Sequence, residues 1–292
     1  MVDTRATPLT QAEIDRYHAD GYLAPFRFLS AQTAQMIRGA IEDHITGRIA
    51  SERYELTDPV VVREVDDANG KVRYEYDESV HSEKTHTFPF LFNMWKWDER
   101  IKAVSHDPVI AGIARQLLGA DKVLLMEDNG IVKNPQSKNI PWHQDYSYWP
   151  LEQQTTAVTL WLSLGHTDEA NGGMQIAPGT HRTGEHLPVA FADDSAFMEN
   201  RKLPEVPQDP VAAGYDVITY KMTPGEGGFH HPMVWHGSPP NTTDEPRYAF
   251  ILRYVGAGSI WLGDTRMPYN DVGCEVGEPL SEKHFPLVET AF

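Results

Sequence analysis

Cysteine is almost absent from this chain, since Cys274 is the single one among 292 residues. One cysteine excludes an internal disulfide, and it excludes zinc or iron–sulfur sites built from several thiolates. Long hydrophobic runs are absent as well: no stretch of about 18 apolar residues occurs, so no segment is predicted to span a membrane. The first residues contain no apolar leader segment, and we therefore expect a cytoplasmic protein.

Positive charge is also scarce. The chain has 25 Lys and Arg against 42 Asp and Glu, which gives a net charge of −17. Binding to nucleic acid or to an anionic membrane surface requires a basic face, so we expect neither partner. The aromatic supply is rich by contrast, with 7 Trp and 12 Tyr available for a core or a pocket.

Helix signals dominate the first 120 residues. Thr10 opens a capping box for a helix that is predicted to end near Gly21, and Ser30 is the predicted cap of a second helix. A third helical region is predicted from about Asp98 to Leu118. Asp107-Pro108 is expected to break it, because proline disrupts a helix and restricts the residue before it.

Residues 51–95 are predicted to form an irregular loop or hairpin with a turn at Asp66–Gly70. Strand signals dominate from about residue 121 onward. Short apolar segments alternate with Gly/Pro breaks such as Pro224–Gly228, which is typical of an antiparallel sandwich or jelly roll. We expect one mainly β domain over 1–292 with flanking helices and a long insertion near 190–215. The predicted strands are Lys122–Lys133, Trp142–Tyr148, Ala157–Leu164, Gly173–Ile176, Val217–Met222, Met233–Ser238 and Tyr248–Val255.

A histidine and an aspartate lie two residues apart in Trp142-His-Gln-Asp145. In an extended strand, residues i and i+2 project from the same face, so His143 and Asp145 are expected to point side by side. His236 lies far downstream, in Val234-Trp-His-Gly-Ser238. Two histidines and one carboxylate on one face of a metal form the triad that suits non-haem Fe(II) and leaves coordination positions open.

Several segments together resemble the phytanoyl-CoA dioxygenase family of Fe(II)/2-oxoglutarate oxygenases. The resemblance covers most of the chain and is weakest over residues 51–95 and 190–215. It implies a double-stranded β-helix (jelly-roll, cupin-like) core with flanking helices. The segments that carry it are Trp142–Asp145, Trp161, Asn171–Gly173 with Ile176–His181, His236–Asn241 and Arg247.

The resemblance also implies the chemistry. Fe(II) is the expected metal, with 2-oxoglutarate and O2 as co-substrates and succinate and CO2 as products. The expected outcome is hydroxylation of an unactivated C–H bond in a small-molecule metabolite, although desaturation, ring formation or epoxidation stay open. A small residue replaces the carboxylate in halogenating relatives, so Asp145 argues against halogenation. The acidic chain has no basic cluster for a CoA phosphate tail, which favours a free small molecule.

Each residue that matches the family motif has an implied role. His143, Asp145 and His236 would be the metal ligands and the catalytic centre. Arg247 would bind the distal carboxylate of 2-oxoglutarate through two parallel hydrogen bonds, a geometry that suits a guanidinium. Ser238 would add a hydroxyl donor, and Trp161 matches the tryptophan beside the co-substrate. His230 and His231 precede His236, which is preferred because Ser238 and Arg247 follow it at the family's distances.

Six further residues are candidates for the substrate side, each with a structural alternative. Tyr146, Tyr148 and Trp149 either line the substrate cavity or pack in a core. Lys133 and Asn129 either position substrate or co-substrate or are merely solvated. Arg253 shares a strand face with Arg247 and either binds an acidic group or is structural.

Two rival functions remain at this level. One is a non-catalytic jelly-roll protein that holds a metal or a small ligand without turnover. The other is a cupin-type metalloenzyme that uses no 2-oxoglutarate. Consumption of 2-oxoglutarate separates both from the oxygenase.

Overall fold

A computed structural model describes residues 6–49, 52–56, 62–66, 72–76, 88–152, 156–189, 203–264, 269 and 272–292 of the chain. For residues 52–56, 62–66, 72–76 and 88–90 it describes the backbone alone. The predicted turn residues 67–70 and the first part of the predicted insertion, residues 190–202, lie outside the described residues.

The described part of the chain has four α-helices, which begin at the capping residues predicted from the sequence. They are α1 (Gln11–Asp20), α2 (Ala31–Ile45), α3 (Glu99–Ser105) and α4 (Pro108–Leu118). The Thr10 side chain accepts the backbone N–H of Glu13 at the start of α1, and Gly21 ends this helix in the left-handed region with φ 77°. Asp107 caps α4, whose first residue is a proline, so the predicted break is confirmed.

Within the residues that the structure describes, fourteen strands follow one another. They are β1 (Tyr22–Arg27), β2 (Glu52–Leu56), β3 (Val62–Asp66), β4 (Val72–Tyr76), β5 (Phe88–Phe92), β6 (Val123–Lys133), β7 (Ile140–His143), β8 (Ala157–Ser163), β9 (Gln175–Ala177), β10 (Ile218–Thr219), β11 (Glu226–His230), β12 (Trp235–Ser238), β13 (Arg247–Gly256) and β14 (Leu287–Val288).

Apart from β3 and β4, which pair only with each other, the strands make a large and a small antiparallel sheet. The large sheet has the order β1-β11-β8-β13-β6-β5-β2, with β14 paired to β6, and the small one has the order β10-β9-β12-β7. The outer face of the large sheet packs on the helices in a cluster that includes Ile37, Ile101 and Leu117. A second cluster, which includes Ile131 and Ile176, fills the space between the sheets. A sheet curled over a smaller one agrees with the predicted jelly roll.

The described parts of residues 51–95 include four strands. β3 and β4 pair with each other as the predicted hairpin, and β2 and β5 extend the large sheet next to β6. These strands are more regular than the polar composition of the segment indicates.

β11 corrects the prediction of a turn at Pro224–Gly228. Gly227 and Gly228 lie inside this strand, between β1 and β8. A Cβ atom at Gly227 would lie 2.5 Å from the carbonyl oxygen of Trp161, and one at Gly228 would lie 2.4 Å from the Cβ of Ala24. These glycines permit close approach of neighbouring backbones rather than a turn. Across the described residues, no helix has both the length and the apolar character needed to cross a bilayer.

Candidate metal centre

Two buried histidines face each other across neighbouring strands of the small sheet. His143, at the end of β7, pairs in register with His236 of β12, and their ring centroids are 4.2 Å apart. The Nδ1 atom of each ring lies close to a carbonyl oxygen two residues earlier, at 2.8 Å from Pro141 and 3.0 Å from Val234. Because a carbonyl only accepts, Nδ1 carries the proton, and Nε2 keeps the lone pair that a metal needs.

Asp145 reaches the same place from a local conformation that differs from the predicted one. The predicted strand Trp142–Tyr148 is wrong beyond His143, because Asp145 is helical (φ −59°, ψ −43°) and caps a short 3-10 helix over Tyr146–Tyr148. Its Oδ1 atom nevertheless lies 3.7 Å from Nε2 of His236. Ligand atoms of His143, Asp145 and His236 all lie within 4.8 Å of one another, so the three side chains could hold a metal ion.

The protonation states of these three side chains suit a divalent cation. Burial, with the neighbouring His236, lowers the pKa of His143 to about 3, and burial lowers the pKa of His236 to about 4. Burial alone would raise the pKa of Asp145, but Arg253 and the surrounding imidazoles hold it well below its usual value. Two neutral imidazoles and one carboxylate are the donor set that fits non-haem Fe(II).

A second polar group lies deeper between the sheets. Arg247 of β13 stands opposite Lys133 of β6 in register, and the Lys133 Nζ atom donates to Ser238 Oγ at 2.6 Å. The Arg247 guanidinium lies 5.4 Å from the ring of Trp161 and donates through Nη2 to the Gly172 carbonyl. Its buried Nε and Nη1 atoms find no acceptor among the described residues. Such orphaned donors suit an anionic ligand with two oxygens.

A third polar group connects the large sheet to the metal centre. Arg253 donates through Nη2 to Asp145 Oδ1 at 3.1 Å and through Nη1 to Glu127 Oε1 at 2.5 Å, and it also contacts the Asn129 side-chain oxygen. Tyr269 donates to the second Glu127 oxygen at 3.0 Å. Burial raises the pKa of Glu127, and Arg253 counters part of that effect. Arg253 is thus at the site on the same inward face as Arg247.

Residues 17–249 match the family described as phytanoyl-CoA dioxygenase (PhyH). The chain belongs to this family. The match covers the small sheet and the large sheet except most of β13 and all of β14. It includes the three polar groups described above, apart from Arg253 and Tyr269 of the third. It confirms the predicted family and, with it, the prediction of a dioxygenase-type enzyme.

Named relatives and solved structures agree with the match. The chain is 25% identical over 211 residues to L-proline trans-4-hydroxylase of Streptomyces griseoviridis, which covers 68% of this chain and 79% of that protein. It is 24% identical over 249 residues to ectoine dioxygenase of Nocardia farcinica, covering 82% and 76%. The 2-oxoglutarate-dependent carbocyclase SnoK from nogalamycin biosynthesis superposes with a TM-score of 0.70 at 20% identity, covering 96% of both chains. EctD from S. alaskensis, with 2-oxoglutarate and 5-hydroxyectoine, has a TM-score of 0.64 at 20% identity, covering 94% and 87%. The jelly-roll fold is thereby confirmed.

The three aromatic candidates of this PhyH chain make contacts within the protein itself. The Tyr146 hydroxyl donates to the Leu151 carbonyl at 3.0 Å, and the Tyr148 hydroxyl donates to the Val189 carbonyl at 2.7 Å. Trp149 is buried, and its ring lies 5.5 Å from the Arg253 guanidinium. These contacts favour packing around the metal centre over direct polar contacts to a substrate.

Four residues at the site were missed as functional candidates. Thr159 and His230 contact Asp145, while Glu127 and Tyr269 contact Arg253 or its partner. Alternation along the predicted strands could have found Glu127, which is two residues from Asn129 on the same face. His230 was weighed only as a rival metal ligand, and nothing in the local sequence marks Tyr269.

Proposed function

We propose that this PhyH-family protein is an Fe(II)- and 2-oxoglutarate-dependent oxygenase that hydroxylates an unactivated C–H bond of a small-molecule metabolite and releases succinate and CO2. The observation that carries the proposal is the pairing of a metal-type donor set with a deeper, orphaned guanidinium in one barrel. Bound Fe(II) would supply the redox chemistry that couples O2 and 2-oxoglutarate to oxidation of the substrate.

The metal is assigned to Nε2 of His143, Nε2 of His236 and Oδ1 of Asp145. The depressed pKa values of both imidazoles keep them neutral and available as ligands at pH 7. One anionic ligand leaves net positive charge on the ion, which favours chelation of an anionic 2-oxo acid.

The distal carboxylate of 2-oxoglutarate is assigned to Arg247, Ser238 and Lys133. Nε and Nη1 of Arg247 would bind one carboxylate in the two-pronged manner of a guanidinium. Lys133 is fully buried and already touches Ser238, so both would face the same anion. Trp161 supports the Arg247 guanidinium from one side. Lys133 therefore belongs to the co-substrate group rather than to the solvated residues.

The substrate is assigned to the side of the metal where Asn129 and Arg253 lie. The Asn129 side-chain oxygen accepts from Arg253, so its amide nitrogen points away, and this buried donor has no acceptor among the described residues. It would bind an oxygen of the substrate or of the keto-acid end of 2-oxoglutarate. Tyr146, Tyr148 and Trp149 are assigned to the wall of the cavity. The two relatives named above for proline and ectoine support a free small molecule as substrate.

The direct test of the co-substrate assignment is anaerobic addition of Fe(II) and 2-oxoglutarate, followed by visible absorption. We expect a weak charge-transfer band with the native protein and none with His143→Ala, which should not retain the metal. Arg247→Ala should weaken 2-oxoglutarate binding more than about tenfold, because removing one partner from a buried charge pair costs roughly 2–5 kcal/mol.

Arg48→Ala is the matched control, since Arg48 is an exposed arginine just after α2 that pairs with Asp43 rather than with the metal centre or the Arg247 group. It should keep the native band and affinity. A native protein that binds metal without the band would favour one of the two rival functions, metal binding without turnover or a cupin-type reaction. If the band does appear, succinate release screened against candidate metabolites would identify the substrate.

A further inference from the structure

The two oxygens of Asp145 have different partners. Oδ1 lies 3.7 Å from Nε2 of His236 and accepts from Arg253 at 3.1 Å. Oδ2 points the other way and accepts the Thr159 hydroxyl at 2.9 Å, with Nε2 of His230 at 3.4 Å. One carboxylate oxygen therefore faces the metal position, and the other faces two side chains of the large sheet.

A count of lone pairs gives this arrangement a chemical meaning. An ionised carboxylate has about four acceptor positions, two on each oxygen. Thr159 and His230 occupy both positions of Oδ2, and Arg253 occupies one position of Oδ1. Among contacts with the described residues, a single position is left, and it lies on the oxygen that faces His236.

The donors on Oδ2 are fixed by the sheet itself. Thr159 of β8 and His230 of β11 are a register pair, and both side chains are buried. Because a carboxylate only accepts, His230 must carry its proton on Nε2, which leaves Nδ1 without a partner among the described residues. An unsatisfied buried nitrogen destabilises the folded protein. The orientation of the His230 ring toward Asp145 is therefore maintained at some cost in stability.

We infer that Thr159 and His230 are positioning residues that reserve Oδ2, so that Asp145 binds the metal through Oδ1 alone. This inference rests on the proposed function. A chelating Asp145 would occupy a fourth coordination position and compete with a 2-oxo acid that needs two. With Oδ2 reserved, three positions stay open for exchangeable ligands.

The experiment uses Co(II) in place of Fe(II), because the visible spectrum of Co(II) reports its coordination number without turnover. The test variant is Thr159→Val with His230→Phe, which removes both donors and keeps similar shapes. We expect it to bind Co(II), within the roughly 10–100-fold loss of metal affinity that is typical when residues orienting metal ligands are removed, to show an altered Co(II) spectrum, and to bind 2-oxoglutarate more weakly than the native protein. His230→Gln, which retains a donor, should restore most of the affinity lost in His230→Phe.

Thr167→Val is the matched control, since Thr167 is a buried threonine whose hydroxyl contacts Ser163 and not Asp145. It should keep the native spectrum and affinity, and circular dichroism should show every variant folded. A double variant with native spectrum and native 2-oxoglutarate affinity would overturn the inference. So would a folded double variant that fails to bind Co(II), because the two residues would then hold the whole side chain rather than choose one oxygen. A native Co(II) protein that does not respond to 2-oxoglutarate would instead contradict the proposed function.

Discussion

Lys133 carries an amine that is buried inside the barrel. It is fully buried beside Arg247, and its contact with Ser238 involves a neutral hydroxyl. Burial and the Arg247 charge lower the pKa of Lys133 to about 6, whereas Arg247, with a pKa lowered to about 10, stays charged. The site therefore holds one permanent cation and one cation that forms when an anion arrives.

This difference predicts that 2-oxoglutarate binding takes up a proton. Above pH 6 Lys133 is neutral in the free protein, and the carboxylate of the ligand raises its pKa in the complex. Between those two pKa values, the apparent Kd should rise with pH, up to about tenfold per unit, because binding requires the protonated form. Calorimetric titration from pH 6 to pH 8, in buffers of different ionisation enthalpy, measures both the slope and the proton uptake.

Lys133→Met tests the assignment, since it keeps the apolar stem and removes the amine. The variant should bind more weakly at pH 6, with a Kd that is nearly flat up to pH 8. A native slope in Lys133→Met would assign the proton uptake to another group.

At the scale of the element, β11 shows what a glycine does inside a sheet. Gly227 pairs with Leu162 of β8, and its missing side chain leaves room for the carbonyl of Trp161. Gly227→Ala should destabilise the protein by about 1–3 kcal/mol, the usual cost of overpacking, because the nearest atom belongs to backbone. Urea unfolding of the metal-free protein measures the change.

The control substitution is Gly39→Ala in the middle of α2, where a new Cβ meets nothing within 4 Å. It should stabilise the protein by about 0.5–1 kcal/mol, since alanine is the better helix former. Equal effects at both positions would show that the space around Gly227 is not limiting.

The elements differ in how far the sequence predicts them. The caps of α1, α2 and α4 are local side-chain hydrogen bonds, so the residue types alone reveal them. β1 and β11 were missed because their pairing is long-range, and the glycines of β11 are typical of turns. The end of β7 at His143 was missed because the aromatic residues after it favour strand, whereas a backbone bond from Tyr146 to Pro232 directs the chain into a short helix.

The residues of the candidate site also differ in whether the sequence alone predicts them. The metal-type donor set and Arg247 are recognisable from a family motif, although the same-strand geometry expected for His143 and Asp145 is wrong. Partners such as Thr159, His230 and Tyr269 contact the site only through the folded sheets, so no spacing in the sequence connects them to Asp145 or Glu127. Residue identity predicted the chemistry, and tertiary pairing was needed for the side chains that orient it.

At the scale of the whole molecule, charge is distributed unevenly. The net charge is −17, yet the barrel interior contains Lys133, Arg247 and Arg253 beside the carboxylates of Glu127 and Asp145. The buried histidines add groups that stay neutral in the folded state. Low pH should therefore destabilise the folded protein, because these buried groups bind protons in the unfolded chain and remain neutral in the folded one.

The buried histidines should accordingly make the metal-free protein lose stability as the pH falls below about 6.5, in addition to the loss that Lys133, with its pKa lowered to about 6, contributes from about pH 10.5 down to about pH 6. Burial lowers the pKa of His143 and of His231 to about 3 and that of His236 to about 4, so between those values and the unfolded value of about 6.5 the unfolded state binds more protons. Unfolding free energy then rises with pH, by up to about 1.4 kcal/mol per pH unit for each such group. Urea unfolding at pH 7.5 and pH 5 should show this loss. His231 lies outside the metal centre, so His231→Phe should reduce the change of unfolding free energy with pH while the metal-binding group stays intact. The linkage would be contradicted by a native pH dependence in that variant. Equal stability of the native protein at both pH values would contradict it as well.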